Sequence, residues 1–393
     1  MRYFGLFFVV LALLLAACGA PEFATPEATT PNNADVIEGQ YIVVLNDTGL
    51  DVQAEDKAVF TARVETASRE LGVALLEPLQ IINGFSAKFD EAKLSDLEAD
   101  PRVAYVEQDF YIYLNATQSP APWGLNYIDG SNDNTYTYNS NGTGVTAYII
   151  DSGIRSDHVD FNGRVDISRG GTTVQDGRGT EDCNGHGTHV ASTVGGRTYG
   201  VAKNVTLVPV RVFDCSGRSF NSGSISALDF VTRTASGPTV VNMSLGGPAS
   251  RALDTSVANA TRAGINVVVA AGNETQNACN VSPARARSAI TVGSATRNLA
   301  RSSFSNFGSC VDIFAPGSDV TAAWPSSRTG VNTISGTSMA SPHVAGVVAL
   351  ILEKNPNVAP STIANYLSDT ALNNILSGVG PGSPNKFMTK GDR

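Results

Sequence analysis

The chain has 393 residues, enough for more than one domain. Its formal net charge of −9 is confined to one end: residues 1–115 carry 18 acidic and 7 basic side chains, and the remainder 18 acidic and 20 basic. The basic residues are scattered rather than clustered, which argues against a nucleic-acid surface.

In chain order, Phe4 to Ala17 is nearly all apolar and follows Arg2. It is too short for a stable membrane span and reads as an export signal, residues 1–18. The signal ends Leu15-Ala-Ala-Cys18-Gly, which resembles a bacterial lipoprotein processing site with Cys18 as the lipid-bearing residue. An ordinary signal peptide cut near Ala20 is the alternative. Residues 19–38, rich in Pro, Thr, Ala and Asn, read as a tether.

Residues 39–115 read as a small α+β unit. Strands are predicted over 40–45, 85–89 and 103–106, with helices over 59–71 and 92–98, the second capped by Asp90. Residues 116–393 follow another pattern. Strands are predicted over 145–150, 207–212, 240–243, 266–270 and 290–292, with helices over 224–234, 251–264 and 339–352. That alternation predicts an α/β fold: a mostly parallel sheet with helices on both faces. With Cys18 set aside, Cys183, Cys215, Cys279 and Cys310 remain, all in this second region of an exported chain. They favour disulfides, with three connectivities possible, and no close Cys-x-x-Cys pair suggests a metal site.

Four stretches carry candidate chemistry. Asp151 ends a β-branched run before Gly153, at the strand end where open α/β sheets place functional groups. Its alternative is a turn cap. Of the four histidines, only His186 has glycines on both sides, in Asn184-Gly-His-Gly-Thr-His189. The His186–His189 spacing is i, i+3, unlike the i, i+4 zinc-helix pattern, and His189 reads as structural. Asn273 follows the apolar strand and Ala271-Gly272, where its amide is either a turn residue or a donor to a developing oxyanion. Ser338 lies in Gly336-Thr-Ser-Met-Ala-Ser-Pro-His343, ahead of an apolar helix. There it is either a helix cap or a nucleophile at the positive end of the helix dipole. Pro342 fits this helix only within its first turn.

Asp151-Ser-Gly, Asn184-Gly-His-Gly-Thr-His, Asn242-Met-Ser-Leu-Gly-Gly, Ala271-Gly-Asn and Gly336-Thr-Ser-Met-Ala-Ser-Pro-His together resemble subtilisin-type serine endopeptidases, closest to the proteinase K and aqualysin branch. The acid–base–nucleophile order is that of subtilisins, and it opposes an α/β-hydrolase esterase. The resemblance implies the subtilisin-like fold, with Asp151, His186 and Ser338 as triad and Asn273 as oxyanion donor. It implies a substrate strand held by Gly217 on one side and Ser244, Leu245, Gly246 and Gly247 on the other. It pairs Cys183 with Cys215 and Cys279 with Cys310. It makes residues 39–115 a ferredoxin-like propeptide, folding assistant and intramolecular inhibitor, and residues 116–393 the peptidase, with self-cleavage near Asn115–Ala116 and Ile112-Tyr-Leu-Asn left in the cleft.

The expected activity is a self-processing zymogen's hydrolysis of polypeptide substrates, with broad specificity and apolar preference. No catalytic metal is implied. A structural Ca²⁺ is implied at the Asp312 carboxylate and the carbonyls of Arg287 and Ala289. A second site near Asn126 and Asp129 is weaker, and Ile375 stands where another calcium acid is expected. The precursor is expected to be lipid-anchored at the cell envelope, and the mature enzyme to be extracellular and monomeric, without nucleic-acid partners.

Overall fold

The computed structural model describes residues 36–46, 55–110 and 116–391. The export signal, Cys18, the tether as far as residue 35, residues 112–115 and the Asn115–Ala116 bond lie outside these residues. The chain divides into two compact units, Met1–Ile112 and Tyr113–Arg393.

The first unit is a four-stranded antiparallel sheet built from Val36–Leu45, Ala74–Leu79, Gly84–Lys88 and Val103–Phe110, numbered in chain order and arranged 2-3-1-4. With the helices Lys57–Leu71 and Leu94–Glu98 this is the ferredoxin-like βαββαβ plan. The long helix begins where the Asp56 carboxylate accepts from Ala58 N, and ends at Gly72 with φ +69°. Its buried Phe60 and Val64 pack on Val43, Phe85 and Ala87.

The first strand starts at Val36, inside the stretch expected to be tether. The sequence reading missed Ala74–Leu79. Pro78 weakens a strand signal there, but this strand lies at the sheet edge, where a missing N–H is tolerated. Asp90 does not cap with its side chain: a 3-10 turn over Glu91–Lys93 precedes the helix Leu94–Glu98.

The second unit carries a nine-stranded sheet. In spatial order its strands are Leu372–Asn373, Lys386–Phe387, Ile313–Pro316, Ile290–Ala295, Asn266–Ala270, Thr239–Met243, Thr146–Asp151, Thr206–Arg211 and Gly171–Thr172. All neighbours are parallel except the first pair. Alternate side chains fill opposite cores. Ala147 and Ile149 join Val190, Val194, Val344 and Val348 of the helices His186–Gly195 and Thr337–Lys354. Tyr148 and Ile150 join Leu228, Val231, Leu253 and Val257 of Asn221–Thr234 and Arg251–Arg262.

The last long helix departs from expectation. It begins at Thr337, so Pro342 is its sixth residue rather than part of its first turn. A proline there withholds the N–H that would bond the Ser338 carbonyl. The Ser244 hydroxyl supplies the missing donor, at 2.8 Å.

Candidate active site

Asp151 closes its strand fully buried. One carboxylate oxygen accepts from Ser152 N at 2.7 Å. Both oxygens face His186 Nδ1, at 2.8 and 3.0 Å, so Nδ1 carries the proton and donates. Burial alone would lower the His186 pKa. The charge and hydrogen bond of Asp151, with the charge of Asp182, outweigh it and hold the pKa above 6.5.

The flanking glycines serve close packing within the protein. Gly185 has φ +112°, and a Cβ on it would meet the Trp324 ring at 2.3 Å. A Cβ on Gly187 would meet the Gly153 carbonyl at 2.2 Å. Sequence reasoning overlooked Asp182, which organises this helix start. Its carboxylate accepts from Asn184 N, Gly185 N, Thr188 N and the hydroxyls of Ser152 and Thr188, at 2.6–2.9 Å. An Asp four residues before His186 in an Asx-turn context was the available signal.

Ser338 is the second residue of its helix. Its hydroxyl donates to the Ser244 carbonyl at 3.2 Å, and it makes no hydrogen bond to His186. Ser244 in turn lines a cleft of about 180 Å³ with Asp151, Ser152, Asn184, His186, Phe213 and Gly217. The Ser244 hydroxyl also contacts Asn242 Nδ2 and Ser341 Oγ at 2.8 and 2.9 Å. Asn273 is tied to the same helix start: its Oδ1 accepts from Thr337 N and Thr337 Oγ1, at 2.8 and 2.9 Å. That fixes the amide and leaves Nδ2 free to donate elsewhere.

Gly217, Leu245, Gly246 and Gly247 line a larger groove of about 530 Å³, with Phe220, Leu253 and Ser282. Gly247 is already paired with Ser282 in a two-residue antiparallel ladder. The other histidines are structural. His189 donates to the Val320 carbonyl and His343 to the Met339 carbonyl, and burial lowers each pKa to about 4.

The disulfides Cys183–Cys215 and Cys279–Cys310 are formed. The first joins the segment before His186 to the segment before Gly217. Beside it, fully buried Arg211 pairs with both Asp176 oxygens at 2.8 and 2.6 Å. Among the described residues, the one acidic, Cys and His grouping close enough for a metal is Asp176, Cys183 and Cys215. The disulfide removes both thiolates from it.

Arg287, Ala289 and Asp312 line one cavity of about 460 Å³. Burial raises the Asp312 pKa, and its carboxylate accepts from Thr291 N at 2.8 Å. Asn266, whose buried Oδ1 has no partner, lines the same cavity. A carboxylate and an orphaned oxygen acceptor lining one cavity fit a hard, oxygen-seeking cation. Asn126 and Asp129, by contrast, clasp their own loop, accepting from Asn134 N, Ser131 N and Thr137 N.

The Subtilase family matches residues 142–388, and the Peptidase inhibitor I9 family residues 40–115. An extracellular serine proteinase of Thermus sp. (strain Rt41A) is 45% identical over 99% of this chain and 99% of its own. Proteinase T of Parengyodontium album is 45% identical over 73% of this chain and 99% of its own. The crystal structure of a cold adapted subtilisin-like serine proteinase superimposes with a TM-score of 0.66 at 50% identity, covering 69% of this chain and 99% of that one. This chain belongs to the subtilase family of serine proteinases, with an I9 propeptide ahead of the peptidase unit.

Proposed function

We propose that the protein is an exported, self-processing serine endopeptidase in which Ser338 is the nucleophile, His186 the base and Asp151 the orienting acid. The pairing of His186 Nδ1 with both oxygens of fully buried Asp151 carries this reading. In the neutral ring it leaves Nε2 as the unprotonated nitrogen, able to accept the proton of a nucleophile. On substrate binding the Ser338 hydroxyl leaves the Ser244 carbonyl for Nε2, a hydrogen bond that is often unformed without substrate. Its oxygen attacks the peptide carbonyl carbon as His186 takes the proton. The imidazolium, stabilised by Asp151, then protonates the departing amine, and water repeats the cycle on the acyl-enzyme. Asn273 Nδ2 and the Ser338 N–H hold the oxyanion. The removal of this amide from a subtilisin costs about 10²–10³ in kcat.

An extended polypeptide adds as a strand between Gly217 and Ser244–Gly246. Main-chain bonding of this kind accepts many sequences, with apolar side chains favoured beside Leu245 and Phe220. The unit over 39–115 acts as intramolecular inhibitor until a cut near Asn115–Ala116, after which the mature enzyme is extracellular and monomeric. Cys18 lipid would hold only the precursor at the envelope. Asp312, with the Arg287 and Ala289 carbonyls, would hold a structural calcium ion that cross-links the strand ends and takes no part in catalysis.

The test is hydrolysis of casein by the wild type and Ser338→Ala, with and without a serine-directed sulfonyl fluoride. Loss of activity in both the variant and the treated enzyme is expected. Hydrolysis that persists in Ser338→Ala rejects the reading.

A further inference from the structure

Asn273 sits in the turn 271–276, and that turn is held by a residue no sequence motif singled out. Asn306 is completely buried, and all its side-chain hydrogen-bonding capacity is directed at this one turn. Its Nδ2 donates to the Ala271 carbonyl at 2.9 Å and to Glu274 Oε2 at 2.8 Å. Its Oδ1 accepts from Glu274 N at 3.1 Å and Gln276 N at 2.9 Å. Its own backbone N–H donates to the Gly272 carbonyl at 3.0 Å. The bonds bracket Asn273 on both sides.

The turn needs such a clamp. Gly272 has φ +100° and Thr275 φ +54°, both in the left-handed region, which is costly for a threonine. The approach is close as well: a Cβ on Gly272 would stand 2.3 Å from Asn306 Nδ2. Thr337 fixes the Asn273 side chain and accepts from Gly272 N at 3.1 Å, whereas the Asn306 side chain bonds the turn both before and after Asn273.

We propose that Asn306 is the positioning residue of the oxyanion donor, acting on catalysis only through Asn273. This rests on the reading of Asn273 as that donor. Misplacement of a catalytic group by about 1 Å can cost roughly 100-fold, so loss of the clamp should lower kcat by about 10- to 100-fold. KM should stay within about twofold, because the turn's contribution is made in the transition state.

The experiment is a four-protein cycle on a chromogenic peptide anilide: wild type, Asn306→Ala, Asn273→Ala and the double variant, each with its thermal midpoint recorded. Asn306→Ala should lower kcat alone and cost less than about twofold when Asn273 is already alanine. Equal losses in the two backgrounds, or a rise in KM at constant kcat, overturn the proposal while leaving the Asn273 reading intact. An Asn273→Ala enzyme with full kcat overturns both. If Asn306→Ala does not fold, Asn306→Ser, which keeps one short polar group there but loses the four bonds to the turn, is carried through the same cycle and judged by the same outcomes.

Discussion

The Ser244 hydroxyl donates to the Ser338 carbonyl, the acceptor that Pro342 leaves without its helical partner. Ser244→Ala therefore strands three groups at once: the Ser338 carbonyl, Ser341 Oγ and Asn242 Nδ2. The expected destabilisation is about 1–3 kcal/mol by urea unfolding. Pro342→Ala restores an N–H four residues beyond Ser338, so Ser244→Ala should cost less in that background. Equal costs in both backgrounds would dismiss the relationship.

The base must be neutral to act, and its pKa is raised, so activity falls as pH drops through a value above 6.5. The acid limb of kcat/KM should therefore lie higher than for a free imidazole. Asp182→Asn removes one of the charges that raise it and should move the limb downward. A limb that stays in place would show that Asp182 serves structure alone.

The two disulfides span 32 and 31 residues. On the loop-entropy argument each contributes about 3–4 kcal/mol. Replacing either pair by serine should lower the urea midpoint to a similar extent. Loss of Cys183–Cys215 should also raise KM, since that bridge tethers the Gly217 segment.

Chelation should lower the thermal midpoint of the mature enzyme without changing its initial rate at low temperature. Asp312→Ala should abolish the response to added calcium. A midpoint indifferent to chelator would remove the proposed ion.

Ser338→Ala should accumulate as uncleaved precursor, and wild-type enzyme recovered from the medium should begin at Ala116. A released enzyme beginning at Cys18 would refute the self-cleavage scheme.

Much of this was legible in the sequence because the decisive residues stand next to strong local signals. Asp151 ends an apolar run and Asn273 follows another. His186 opens a helix between glycines, and its neighbours are small because Trp324 and Gly153 crowd it. Asp182 had a local signal that was overlooked, but Arg211, Asn306 and the Ser244–Ser338 bond were not legible. Each depends on partners distant in sequence, or on a backbone acceptor that no residue type advertises. The position of Pro342 misled for the same reason. Local rules admit a proline only in a helix's first turn, whereas here a hydroxyl from a neighbouring strand end replaces the lost donor.

The arrangement of the sheet has one more consequence. Asp151, Ser244 and Asn273 lie at or just beyond the ends of three consecutive strands, whose ladders run without a register shift. Neighbouring strands stand about 4.8 Å apart, so the strand ends that carry these three anchors are ruled off at roughly 5 Å intervals. The spacing of the strand ends beneath the site is therefore metered by main-chain geometry that side-chain substitution cannot rescale. Insertions in the connecting loops can change what enters the cleft, but only a slipped strand could change how far apart the strand ends that carry it stand.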